Sequence, residues 1–396
     1  MNNTVLILGG GASGLAAAVV AARRGKQVTL LERGERVGRK LLATGNGRCN
    51  LANLGAPVYF GDAAFAMQVL EHMPVSDVLR FFEGIGLPTR ADAAGRVYPA
   101  CNQAAAVLDV LRAQLTALNV RVETGTEAQA LVKEADGWLV KTNRGPFRAS
   151  SVLVCCGGMA APKLGGVNAY GLLTALGCRL VPPAPALAPL ETEKAPLKGL
   201  SGLRLPAALT LCDGARPVAR TRGEALFADY GVSGVCAMQL ARDAGALLQK
   251  KREAWLRVDF SPAMGIGDAP MGREDPSTDS EEAVRAFLRG RENLPGGPLL
   301  GALPRVLREK LAPAPAKDLP RMLSAYPLRV TGVRGFDQAQ VTQGGIDPRD
   351  FDPATLQHRA LPGLFACGEV LNVDGDCGGF NLQFAFATGI LAGRAV

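Results

Sequence analysis

The chain has 396 residues, 48% of them hydrophobic and 20% charged, with a formal net charge of +8. That length supports two or three domains with sizeable cores, and the composition excludes a disordered chain, which is too poor in apolar residues to offset its ordering entropy. Its 48 glycines cluster instead of recurring at every third position, which excludes collagen.

The net charge is +4 over residues 1–100, +3 over 101–200, +3 over 201–350 and −2 over 351–396. The excess is therefore thin, apart from Arg33, Arg36, Arg39, Lys40 and Arg48, a run that also holds Glu32 and Glu35. A solvated face and a phosphate contact both fit such a run, and charge alone does not separate them. Nine cysteines, an odd number with no C-x-x-C pair, fit reduced thiols in a cytoplasmic protein better than a disulfide framework or a zinc cluster. His72 and His358 stand in unrelated contexts, and no metal site is expected.

In chain order, Thr4 to Leu8 is a short apolar run that predicts a buried parallel strand. Gly9 to Gly14 follows, then an alanine-rich helix, Leu15 to Arg24, stopped by Gly25 in the position of a C-terminal cap. Gln27 to Leu31 predicts a second strand ending at Glu32, which completes a βαβ unit. Val5 to Ala22 is apolar enough to imitate a membrane span, but no basic region precedes it and glycines interrupt it, so no membrane partner is expected.

Helices are expected over Ala63 to Met73, Val75 to Gly84 and Gln103 to Leu118. A strand follows at Val120 to Glu123, then a meander through Gly137 to Thr142 and a buried strand Ser151 to Cys155 that runs into Gly157-Gly158. Pro182, Pro183, Pro185 and Pro189 mark a connection where the pattern changes, and the first domain boundary. Residues 190–342 predict an inserted β-rich domain, with strands at Leu205 to Leu211 and Trp255 to Phe260. It carries a helical piece about 275–325, with helices at Glu281 to Arg289 and Pro304 to Leu311. Residues 1–189 and 343–396 form the other, discontinuous domain. There a strand at Gly363 to Cys367 meets Gly368-Glu369, and Asn381 to Gly393 closes the chain as an apolar helix.

Gly9, Gly11 and Gly14 make G-x-G-x-x-G, whose glycines serve a tight turn, a close approach to pyrophosphate and close helix–strand packing. Glu32 ends the second strand, where a carboxylate accepts ribose hydroxyls and disfavours a 2′-phosphate. FAD and NAD share this fingerprint. The two later strand-to-glycine junctions fit a large flavin fold better than a simple dehydrogenase. Glu369 would face the middle of such a cofactor, and Gly378-Gly379 would turn the positive end of the last helix toward the flavin pyrimidine edge.

Gly45-Asn46-Gly47-Arg48-Cys49-Asn50-Leu51-Ala52-Asn53 and the stretch Gly368 to Gln383 resemble signatures of the BaiN/RdsA family of FAD-dependent flavoproteins. Phe227 to Val235 resembles the family's insert motif, and Val341 to Ile346 its return strand. The resemblance implies an α/β fold: a glutathione-reductase-like FAD-binding Rossmann domain with an inserted β-barrel domain and a small helical subdomain. It also implies reduction of activated C=C bonds by NADH or NADPH as a transient reductant. The substrate would be a uridine of ribosomal RNA, taken to dihydrouridine, or a small enone that favours an apolar cavity. RNA calls for a basic groove, for which Arg204, Arg216, Arg220 and Arg222 are the candidates. A flavin-binding regulatory or assembly protein without turnover is the alternative.

The cofactor contacts expected are Gly9, Gly11, Ala12, Ser13, Gly14, Glu32, Arg33, Arg39, Lys40, Gly47, Arg48, Cys49, Asn50, Gly157, Gly158, Gly368, Glu369, Gly378, Gly379, Asn381 and Leu382. Cys49, Tyr98, Asp374 and Cys377 are the candidate catalytic groups. This chain departs from the family pattern at Met159-Ala160-Ala161-Pro162, in the stretch Gly165 to Gly171, at Asn372 and at Phe380. These departures bear on substrate and not on FAD.

Overall fold

The structure, a computed structural model, describes residues 3–167, 169–267 and 272–396. Asn168, inside the divergent Gly165 to Gly171 stretch, lies outside the described residues. The chain divides into two compact units, Met1–Ala184 with Val341–Val396, and Pro185–Gln340. The sequence-based crossings stood at 189/190 and 342/343.

In the first unit, β1 (Thr4–Leu8) and β2 (Gln27–Glu32) pair in parallel, Leu8 opposite Leu31. Between them runs α1 (Ala12–Arg23), and Gly25 beyond it takes the left-handed φ of +80° that a helix terminator needs. Next come α2 (Arg39–Ala43), β3 (Ala52–Asn53), β4 (Tyr59–Gly61), α3 (Ala63–His72) and α4 (Val75–Gly84). They are followed by β5 (Thr89–Ala91), β6 (Arg96–Pro99), α5 (Ala104–Ala117) and β7 (Arg121–Thr124). The helices start and stop within a residue or two of the expected limits because their apolar faces are long and well separated. The meander comprises β8 (Ala128–Glu134), β9 (Gly137–Thr142) and β10 (Gly145–Ala149), and β11 (Ser151–Val154) re-enters the main sheet. After the short α6 (Gly171–Thr174), Pro182, Pro183 and Pro185 lie in a strand, β12 (Leu180–Ala186). The partner is a single strand, so the missing proline N–H groups interrupt no central ladder, and the units divide at Ala184/Pro185, within the proline-marked connection.

The second unit contains β13 (Leu190–Thr192), β14 (Arg204–Asp213), β15 (Arg216–Ala228), β16 (Gly231–Ser233), α7 (Val235–Gln239) and α8 (Ala241–Gln249). It continues with β17 (Ala254–Asp259), β18 (Gly272–Glu274), α9 (Glu281–Arg289), α10 (Arg305–Leu311), α11 (Leu319–Ser324) and β19 (Tyr326–Val333). The strand order is β14-β17-β19-β13-β16-β15-β18, and β14 also pairs with β15. Phe227, Val258, Phe260 and Leu328 are buried in this unit. So is Arg220, 5% exposed, which donates to Asp259 Oδ2 (2.6 Å), Glu274 Oε2 (2.8 Å) and Thr210 Oγ1 (2.9 Å). Of the four arginines expected as candidate RNA contacts, Arg220 is thereby withdrawn, enclosed by its own acids. Arg222 is largely covered and donates to the carbonyls of Ile266 and Gly267, whereas Arg204, paired at the surface with Glu224 at 2.9 Å, and Arg216 are exposed.

The chain returns to the first unit through β20 (Val341–Ile346), which pairs with β12, then β21 (Leu364–Ala366), β22 (Val373–Gly375) and α12 (Phe380–Ala395). The central sheet has the order β21-β11-β1-β2-β7 with every pairing parallel, so the carboxyl ends of its strands share one edge, where nucleotides bind in doubly wound folds. Helices α1 and α12 touch backbone to backbone. A Cβ built on Gly389 would lie 2.2 Å from Ser13 O, and one on Gly393 2.7 Å from Ala17 O. No helix among the described residues is long and apolar enough to cross a membrane.

Candidate functional site

The site grows from the carboxyl edge of the parallel sheet. Gly9 leaves β1 at φ +105°, and its N–H donates to Leu31 O (2.8 Å). A Cβ on Gly9 would meet Cys155 O at 2.5 Å, and one on Gly14 would meet Gly9 O at 2.0 Å. A Cβ on Gly11, the residue that opens α1, would meet nothing within 4 Å. Two of the three fingerprint glycines are thus required by packing, while the third faces open space beside Ala12, Ser13 and the free N–H groups of a twelve-residue helix. Glu32 is held at the end of β2 by Gly10 N–H (2.8 Å) and Gly34 N–H (2.6 Å). Arg33 is exposed beside it, and Arg39 donates to Lys163 O (2.6 Å).

A second cluster forms around Glu369, which follows β21. Its Oε2 accepts from Lys40 Nζ (2.8 Å) and its Oε1 from Thr342 N–H (2.8 Å). Thr342 Oγ1 in turn accepts from Met159 N–H (2.9 Å) and Ala160 N–H (3.0 Å). Gly157 and Gly158 pass so close that a Cβ on Gly158 would lie 2.6 Å from Thr342 Oγ1 and 3.1 Å from Glu369 Cδ. Gly368 sits over the start of α1, its Cβ position 3.0 Å from Ser13 Oγ. Three strand–glycine junctions distant in sequence therefore converge on Ser13, Lys40 and Glu369.

The third cluster joins the 45–53 loop to the start of α12. Asn53 donates to Gly378 O (2.7 Å), and its N–H donates to Gln383 Oε1 (3.0 Å). A Cβ on Gly379 would meet Ala52 O at 2.5 Å and Asn50 Oδ1 at 2.6 Å. Asn50 Oδ1 is buried without a hydrogen-bond partner among the described residues, as is the Tyr170 hydroxyl. Asn381 spends its amide on the backbone of Gly375, at 2.7 and 2.8 Å, which pins the turn into the helix, while Leu382 is half-buried on its first turn. Gly47 is in open space, and Arg48 lies over the Tyr98 ring at 5.0 Å.

Cys49 is wholly buried at φ +57°, and burial pushes its thiol up to about 12, against a hydrogen bond with Thr44 that lowers it. Cys377 is pushed up to about 11 by burial first and by Asp376 second. Cys155 and Cys367 pack in the strand ends, and burial holds the Cys367 thiol well up. Elsewhere Cys178, Asp350 and His358 bring donor atoms within 4.8 Å of one another. His358 Nδ1, however, accepts from Ala360 N–H (3.1 Å), which leaves the neutral ring its proton on Nε2; a metal-ligating imidazole has the reverse arrangement.

Thr342, Asn53 and Gln383 hold the site together, and sequence reasoning gave them no role. Thr342 lies in the return strand and the other two in the quoted signatures, but nothing in residue type distinguishes a cross-chain bracket from an ordinary polar residue. The donor set fits an FAD. It offers open backbone at Gly11 for pyrophosphate, an acid at the end of β2 for ribose, a Lys–Glu pair midway, and an orphaned amide oxygen at Asn50 that lacks a donor such as a flavin N3–H.

The HI0933-like protein Rossmann domain model matches residues 3–395. A 3-dehydro-bile acid delta(4,6)-reductase of Clostridium scindens is 38% identical over 409 residues, covering 99% of this chain and 98% of the relative. A ribosomal RNA dihydrouridine synthase of Escherichia coli is 25% identical over 393 residues, covering 97% and 95%. Among solved structures, a 3-ketosteroid-delta4-(5alpha)-dehydrogenase from Rhodococcus jostii aligns with a TM-score of 0.49 at 18% identity, covering 99% of this chain and 96% of that one.

Proposed function

The chain belongs to the HI0933-like family of Rossmann-domain flavoproteins, and on that premise we propose that it is an FAD-dependent oxidoreductase that draws on NADH or NADPH to reduce an activated C=C bond of a small, apolar enone. The observation that carries the choice of substrate is full-length identity of 38% to a reductase of a steroid-like acid, against 25% to an RNA-modifying relative. The enclosure of Arg220 among its own acids and the engagement of Arg222 with backbone carbonyls support the same choice, because RNA binding rests on free cations.

When bound, FAD supplies hydride transfer between the nicotinamide and the double bond. The residues do the rest. Gly11 and the start of α1 would take the pyrophosphate, with Arg39 and Lys40 adding positive charge. Glu32 would accept ribose hydroxyls. Glu369, oriented by Lys40 and Thr342, would accept from the middle of the chain of hydroxyls. The N–H groups at Gly379 and Phe380 open a sixteen-residue helix, whose positive end would favour the negative charge of a reduced flavin held there. We read the closed strand order of the second unit as the family's inserted barrel.

The test is anaerobic. The purified protein should be yellow, bleach with NADH or NADPH, and recover its colour with a cyclic or steroidal enone. A flavin that neither nucleotide bleaches points instead to a flavin-binding regulatory or assembly protein. A dihydrouridine of large-subunit RNA that disappears with the gene would overturn the enone assignment.

A further inference from the structure

Reduction of a C=C bond needs a hydride at one carbon and a proton at the other, and the family match names no donor for that proton. Four groups border the loop and helix start described above. Cys49 is wholly buried and held by Thr44, Cys377 is half-buried with its thiol pushed up to about 11, and Asp374, 2% exposed, lies within the short ladder of β22 with β4. Tyr98 is different. Its ring is 6% exposed, packed under Gly45, whose Cβ position is 3.7 Å from Tyr98 Cε1. Its hydroxyl has no hydrogen-bond partner among the described residues and, unlike that of Tyr170, is not sealed from solvent. Arg48 lies over the ring at 5.0 Å. Arg96, two residues back on β6, is also close: burial works against its cation, and Asp92, Tyr98 and Cys377 together more than restore it. An O–H free to donate thus belongs to a ring that carries Arg48 on its face, on the strand that pairs with β3 through Val97 and Arg96.

We propose that Tyr98 is the proton donor of the reaction, an inference that rests on the enone reading above. The hydride adds to the carbon β to the carbonyl, and the C=C electron pair shifts toward the α-carbon. The Tyr98 O–H bond breaks as its proton passes to that carbon. The phenolate left behind, with the Arg48 cation over its ring, regains a proton from solvent. The sum is enone plus NAD(P)H plus H⁺ giving saturated ketone plus NAD(P)⁺, so the reduced nicotinamide supplies both electrons.

The variant Tyr98→Phe keeps the ring, and so keeps the packing under Gly45 and the contact with Arg48. Its FAD content, melting temperature and rate of flavin reduction by NAD(P)H should equal those of the wild type. Reoxidation of the reduced enzyme by an enone should fall by about 100-fold or more, the usual worth of a positioned general acid. Reoxidation by ferricyanide, which forms no C–H bond, should not change. Binding of a saturated cyclic ketone to the oxidised holoenzyme, followed by the flavin spectrum, should stay within about threefold. A Tyr98→Phe enzyme that reduces enones within about threefold of wild type overturns the assignment, and so does one whose ketone binding falls tenfold, which would make Tyr98 a binding group. A wild-type enzyme that no enone reoxidises overturns the functional reading itself, and the Tyr98 role with it.

Discussion

The glycines at 11 and 14 belong to one motif, and the structure predicts opposite consequences for replacing them by alanine. At Gly14 the new methyl would sit 2.0 Å from Gly9 O, a backbone atom held in place by the N–H of Gly9 on Leu31 O. Neither side can yield. Overpacking of this kind costs about 1–3 kcal/mol and sometimes more, against a helix-propensity gain of about 1 kcal/mol, so Gly14→Ala should destabilise the apo-protein by about 2 kcal/mol. At Gly11 the backbone is extended, with φ −87° and ψ −165°, and the methyl would meet nothing within 4 Å. Gly11→Ala should therefore cost at most about 1 kcal/mol in the apo-protein, the difference between glycine and alanine at a helix start. Its effect should fall on FAD. A methyl in the path of the pyrophosphate removes a charge-assisted hydrogen bond worth about 1.5–3 kcal/mol, which is about a 10- to 100-fold loss of affinity. Urea unfolding of the two apo-proteins and quenching of FAD fluorescence on titration read the two quantities separately. Wild-type FAD affinity in Gly11→Ala would refute the assignment of that open space to the cofactor, and wild-type stability in Gly14→Ala would refute the packing argument.

Arg220→Met should destabilise the second unit by about 3–5 kcal/mol in urea, because it strands Asp259, 1% exposed, without its cation and leaves Glu274 only the more distant Arg222, while FAD stoichiometry stays at the wild-type value. Iodoacetamide at about pH 8 should label the exposed Cys101 and leave Cys49 unmodified by peptide mass, since its buried thiol titrates only near about 12. Burial also lowers the pKa of His358, with Asp350 opposing. The unfolded chain therefore takes up a proton below about pH 6.5 that the folded chain resists, so this contribution to stability is present above that pH and is lost as pH falls. His358→Asn should flatten the acid limb of the stability–pH curve by one proton, and an unchanged slope would refute the assignment.

The first βαβ unit is legible in the sequence because every constraint on it is local. The strand, the glycine spacing, the helix and the terminal acid lie within about thirty residues and agree with one another. The long amphipathic helices are legible for the same reason. The prolines at 182–189 mark the boundary in the sequence, but that three of them lie in a strand is not legible there, because the cost of proline in a strand depends on how many partners the strand has, and a distant segment supplies that partner. The burial of Arg220 is hidden in the same way: an arginine in a sequence carries no mark of whether an aspartate 39 positions away will bury it. Asn53, Thr342 and Gln383 bracket segments up to 330 residues apart, which no local pattern announces.

The glycines draw the line between the two kinds of information. Those at 9, 11 and 14 declare themselves by spacing, since a dinucleotide turn imposes that spacing on any chain. Gly389 and Gly393 look like two more small residues in an apolar helix. Only the packing of α12 on α1 reveals that each lies where a Cβ would strike the backbone at Ser13 and Ala17. The sequence by itself determined the nucleotide edge and the order of the junctions, because these are written in short-range chemistry. Tertiary structure alone decided which cations are free, which thiols are sealed and which hydroxyl is left to donate, because burial and partnership depend on residues far away in the chain.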